Sequence, residues 1–151
     1  MIFSDKSRMK HLFLLLLTLL LSLTAAAQSQ LGEIAAHLQT DRISLHYDCT
    51  YTEDTPVKLT GVLLLQGDCY RAVGNGMEIY CDGTTRWSVD PASKEVYIEA
   101  ANGLEELLEY RDALSALKIS DLKYLPLSDD LSAFRFDTAG LGGDWVVTDL
   151  R

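Results

Sequence analysis

The feature that most narrows what this chain can fold into is a period of two that starts at Ile43 and keeps returning between tight turns. Ile43, Leu45, Tyr47, Cys49 and Tyr51 alternate with Ser44, His46, Asp48 and Thr50, the pattern of a strand with one buried face. Pro56 breaks that strand, and Val57 to Leu65 forms a second, apolar on nearly every residue past Gly61 and so expected to be covered on both faces. Turns at Gln66-Gly67-Asp68, Gly74-Asn75-Gly76, Asp82-Gly83 and Asp90-Pro91-Ala92-Ser93 then separate Cys69 to Val73, Met77 to Cys81, Thr84 to Val89 and Lys94 to Glu99. Asp82-Gly83 is the strongest hairpin signal, because a type I′ turn takes positive φ at both central residues. Short strands joined this way predict an antiparallel meander.

Helical spacing flanks the meander. Leu31, Ile34, Ala35 and Leu38 predict an amphipathic helix from about Ser29 to Thr40. Asn102 can cap a second helix, with Glu105 completing a capping box, and Leu104, Leu107, Leu108, Leu114 and Leu117 form its apolar stripe to about Leu117. In the tail, Leu122 to Leu125, Ala133 to Asp137 and Asp144 to Asp149 read as strands. The expected class is α+β, mainly β: a curved antiparallel sheet, a half-open barrel, covered by about two helices.

Ahead of all this lies a three-part leader. Lys6, Arg8, Lys10 and His11 precede an apolar run from Leu12 to Leu23, and Ala25-Ala26-Ala27 follows, the order of a secretory signal peptide. The run is shorter than the roughly 20 residues that a membrane-spanning helix needs. Cleavage after Ala27 is expected, leaving residues 28–151 as a single exported domain. No cysteine follows the cut, which argues against a lipid-modified amino terminus.

The leader holds three of the 13 Lys and Arg and one of the 22 Asp and Glu, so the remainder carries 10 basic residues against 21 acidic. Such acidity argues against nucleic acid, whose affinity rests on neutralising phosphates, and favours a soluble monomer that meets basic partners. Cys49, Cys69 and Cys81 allow at most one disulfide; a Cys69–Cys81 bridge across successive strands and three buried free thiols are both open. No C-x-x-C, H-x-H, H-E-x-x-H or G-x-S-x-G sequence occurs, so no metal, cofactor or enzymatic activity is expected. His46 and Cys49, three apart on a strand, point to opposite faces and cannot act as a local pair. What stands out is apolar: a meander with few residues to cover it and leucine-striped helices can enclose a greasy pocket under a lid or pack solid.

Three stretches carry a resemblance. Gly61-Val62-Leu63-Leu64-Leu65-Gln66-Gly67-Asp68-Cys69-Tyr70-Arg71, Tyr80-Cys81-Asp82-Gly83-Thr84-Thr85-Arg86-Trp87-Ser88-Val89-Asp90 and Lys94-Glu95-Val96-Tyr97-Ile98, in that order, resemble the periplasmic lipoprotein carriers of the LolA type. The ending, Phe134 to Asp137 and Trp145 to Arg151, resembles the close of the divergent carriers. The resemblance implies a half-open curved sheet closed by helices, which takes the acyl chains of a lipoprotein, or another acyl ligand, from a membrane-bound donor and hands them to an acceptor toward the outer membrane. The concave face would be lined by some of Leu63, Leu65, Ile79, Trp87, Val89, Val96 and Ile98, with Leu104, Leu107 and Leu108 on the lid helix. The chain is shorter than the family norm just after the second helix, and Gly67 stands where the family places a proline. The rival expectation is a non-enzymatic envelope module with a solidly packed sheet that binds a protein partner through its acidic surface.

Overall fold

The structure, a computed structural model, describes residues 25–101 and 113–151. Helix α1 (Ala25–His37) leads into β1 (Asp41–Thr52), and the meander continues as β2 (Pro56–Gln66), β3 (Cys69–Gly74), β4 (Met77–Cys81), β5 (Thr85–Asp90) and β6 (Glu95–Ala100). Then come β7 (Leu114–Pro126), a short 3-10 helix (Ser132–Phe134) and β8 (Val146–Asp149). The eight strands of the described residues form one sheet in the order β7-β1-β2-β3-β4-β5-β6-β8, which does not close into a barrel. The fold is mainly β. The sheet is mixed rather than wholly antiparallel, because β8 runs parallel to β6.

The tight turns follow from local chemistry. Asn75 and Gly76, both at positive φ (53° and 74°), make the two-residue loop between the paired Gly74 and Met77, the geometry a type I′ turn requires. The Asn75 amide reaches back to β2, accepting from the Thr60 N–H at 2.8 Å and donating to the Lys58 carbonyl at 2.9 Å. Asp82-Gly83 departs from the expected type I′ turn: only Gly83 has positive φ, at 97°. Asp82 instead folds its carboxylate onto the loop, accepting from the backbone N–H groups of Thr84 (3.1 Å) and Thr85 (2.9 Å), so a side chain rather than backbone twist makes the corner.

Between β2 and β3, Gly61 and Gly74 lie opposite each other. A Cβ on Gly74 would sit 2.1 Å from the Thr60 carbonyl oxygen, and one on Gly61 would sit 2.4 Å from that of Val73 and 2.7 Å from the Tyr47 hydroxyl. Only hydrogen fits at either position, which lets the two backbones approach closely with Tyr47 laid over the pair.

The leucine stripe expected of the second helix ends differently. Leu114 and Leu117 belong to β7, which pairs antiparallel with β1; positions 102–112, including Leu104, Leu107 and Leu108, lie outside the described residues, as do residues 1–24 of the leader. Register shifts place Cys49 opposite both Ala116 and Leu117, and Leu45 opposite both Asp121 and Leu122. Ala116 and Asp121 carry the positive φ of these bulges, 53° and 49°. Each bulge adds one residue to the alternation, so Leu114, Leu117, Ile119, Leu122 and Tyr124 face one way at spacings of three, two, three and two. That spacing imitates a helical stripe.

The strand expected over Ala133 to Asp137 is also absent. Ser132–Phe134 forms a 3-10 turn and buries Phe134 completely, at 0% exposure. Asp130 accepts from the Ser132 N–H, and Arg42 lies over the Phe134 ring at 5.0 Å while donating to the Asp130 carbonyl at 2.9 Å. The apolar i, i+2 pair Phe134 and Phe136 reads as a strand, but it wedges into the core instead of joining a ladder.

Candidate functional site

Paired residues in a ladder point to the same face, so the register assigns every side chain to one of two faces. The first face lies under α1. Leu31, Ile34 and Leu38 pack there with Ile43, Leu45, Leu65, Tyr70, Cys81 and Ala101, and half-buried Tyr47, Leu63, Ile79, Leu117, Ile119, Leu122 and Tyr124 extend the cluster. The second face is covered by the chain's own tail: Tyr80, Val89, Val96 and Ile98 pack with their sheet neighbour Trp87 and against Phe136, Leu141 and Trp145 of the tail.

The seven residues from which the concave lining was expected therefore do not share a face. Leu63, Leu65 and Ile79 lie on the helix side, whereas Trp87, Val89, Val96 and Ile98 lie on the tail side. Strands β2 and β5 point their apolar residues in opposite directions because the inward parity changes between them: Ile79, on the helix side, pairs with polar Ser88. Val89, Val96 and Ile98 are 1%, 0% and 6% exposed, filled over by the tail rather than facing a space.

The helix side is the candidate binding face. Its apolar surface starts under α1 and runs along β7, β1, β2, β3 and β4. It ends at β5 and β6, where Arg86 and Glu99 form an ion pair at 2.6 Å. The end of α1 is fastened to the sheet by His37, whose Nδ1 lies 2.5 Å from Asp41 Oδ2 and whose ring stacks on Tyr124 at 3.9 Å. That contact with His37 also holds the Asp41 carboxyl below the usual carboxylate range. Burial raises the Tyr47 hydroxyl pKa above its ordinary value. Tyr47 follows from the alternation of β1, whereas Leu117, Ile119, Leu122 and Tyr124 escape a strict reading of alternation as members of this face, and the bulged spacing of β7 is the signal that finds them.

Among the described residues this face carries little reactive chemistry. Cys49, Cys69 and Cys81 are free and buried. Cys81 pairs with Tyr70, so Cys69, next to Tyr70, points to the other side of the sheet, and alternation keeps the two thiols apart. Burial pushes the Cys69 thiol up to about 11, with Cys81, Asp82 and Asp68 adding to the shift, and burial raises the other two. Thiols so protonated at neutral pH are poor nucleophiles. His46 pairs with Asp121 at 3.3 Å on the tail side, away from buried Cys49. Among the described residues no group of three His, Cys, Asp or Glu side chains could hold a metal, and no helix is long and apolar enough to cross a membrane. Compared with models of known protein families and with curated proteins, the chain matches none.

Proposed function

We propose that the protein is an exported, periplasmic carrier that holds an acyl chain, that of a lipoprotein or another lipid, against the helix-side face of its open sheet. The observation that carries the reading is the half-buried row Tyr47, Leu63, Ile79, Leu117, Ile119 and Leu122, which continues the core beyond α1 in a sheet whose edges do not meet. An acyl chain contributes about 0.8 kcal/mol for each methylene it buries, so apolar contact along such a row suffices for useful affinity without a polar anchor. The acidic surface would then meet basic patches on donor and acceptor proteins. No step of chemistry is required of the chain.

A second reading, the packed interaction module, draws on the tail-side cluster, which the chain's own Phe136, Leu141 and Trp145 complete. A dansylated fatty acid separates the two. A carrier should enhance its emission saturably and release it to palmitate or a lipopeptide, and Leu63→Glu should abolish the signal, because a carboxylate there must be desolvated without a partner. Tail-side Trp emission reports whether that variant is folded. No saturable response in the wild type, or an unchanged one in a folded Leu63→Glu variant, would leave the packed module as the better account.

A further inference from the structure

The two edges of the sheet differ. Edge strand β7 is broken by two bulges, with Ala116 and Asp121 at positive φ, a device that turns an edge away from further pairing. Edge strand β8 has no bulge and has no second neighbour among the described residues. Its hydrogen bonds to β6 include the Val146 N–H to the Lys94 carbonyl at 2.9 Å and the Leu150 N–H to the Ile98 carbonyl at 2.8 Å. In a parallel ladder alternate residues serve the same neighbour, so Val146, Thr148 and Leu150 are committed to β6. The backbone groups of Val147 and Asp149 point outward.

We propose that this edge is self-complementary and that two copies of the chain pair through it, β8 antiparallel to β8 about a two-fold axis at Thr148. That axis brings Val147 opposite Asp149 of the second copy, and these are the residues whose backbone groups point outward and meet no further strand among the described residues. It also brings Val146 opposite Leu150 of the second copy, on the same face. These two side chains are 58% and 60% exposed in the single chain, and each dimer would cover both pairs. The seam is electrically neutral despite the chain's net charge of -9: Asp149 is held by Arg151 at 2.7 Å, and Asp144 pairs with Lys94. No like charges meet across it. The union is a small, closed, isologous one, joining two open sheets into one with β7 at both outer edges.

Sedimentation velocity of the full chain from micromolar to millimolar concentration tests it. The wild type should shift reversibly from the mass of one chain to that of two. Val147→Pro removes an outward N–H and no bond to β6, and should weaken association about tenfold or more; Val146→Glu should do the same. The double variant Val146→Glu/Leu150→Lys restores a complementary pair at each contact and should recover dimerisation, with near-ultraviolet circular dichroism confirming the fold of each variant. A wild type that stays at the mass of one chain throughout would overturn the proposal. So would a dimer indifferent to these substitutions, or a folded double variant that fails to recover. Acyl binding to the helix-side face is a separate readout, so either proposal can fail alone.

Discussion

Replacing Phe134 with alanine should cost about 4 kcal/mol of stability. The ring is fully buried, and truncating such a phenylalanine removes roughly 3–5 kcal/mol through lost transfer energy and the cavity left behind. The loss spreads because the ring also supports Arg42, which stands over it at 5.0 Å and donates from Nε to Gln66 at 2.9 Å. Gln66 in turn donates to the Ser128 carbonyl at 2.7 Å and accepts from the Ser128 N–H at 3.2 Å. These contacts fasten the start of the tail to the end of β2, and the tail covers the second core. With a urea dependence of about 2 kcal/mol per molar, the midpoint should fall by about 2 M, followed through tryptophan emission. Arg42→Ala should cost less, and a double-mutant cycle should show coupling of about 0.5–1 kcal/mol, the size of a cation–π contact at a partly exposed site. A loss under about 1.5 kcal/mol for Phe134→Ala would show that the tail does not lean on this ring.

Other outcomes follow from single positions. Gly83→Val forces a β-branched residue to φ near 97° and should cost at least about 1–2 kcal/mol, read as a lower melting temperature. Gly74→Ala drives a Cβ to 2.1 Å from the Thr60 carbonyl oxygen, so its melting temperature should fall further than that of Gly67→Ala, where no atom lies within 4 Å of the added Cβ. Cys69 should resist alkylation in the native protein at pH 7.5 and react on unfolding. Its thiol is raised from 9.0 to about 11, so its contribution to stability is present below pH 9 and lost as the pH rises toward 11; a urea midpoint unchanged between those values would contradict the assignment.

Much of the sheet is legible in the sequence because its turns are written in side chains. Asn75-Gly76 supplies two positive φ values, Gly67 supplies one, and the alternation from Ile43 to Tyr51 fixes which side of β1 is buried. Where local chemistry and tertiary pairing diverge, reading fails. The bulges of β7 insert Ala116 and Asp121 into an alternating strand and convert it to near-helical spacing, so Leu114 and Leu117 read as part of a helix. Phe134 and Phe136 read as a strand because nothing local tells that one ring fills a wedge and the other joins the tail-side cluster. The candidate lining splits for a related reason. Alternation within β2 or β5 shows which residues share a face, but the face that each strand turns toward α1 depends on register across the sheet, which only the pairing of Ile79 with Ser88 discloses.

The most direct test of an acyl-binding helix-side face is paramagnetic broadening of methyl signals by a spin-labelled fatty acid. The methyls of Leu63, Ile79, Leu117 and Ile119 lie on that face, whereas those of Val89, Val96, Ile98 and Leu141 lie in the tail-side core. An acyl chain seated there broadens the first group selectively and saturably, with relief by unlabelled palmitate and the second group left sharp. Broadening centred on the tail-side methyls, or none at saturating ligand, would contradict that seating.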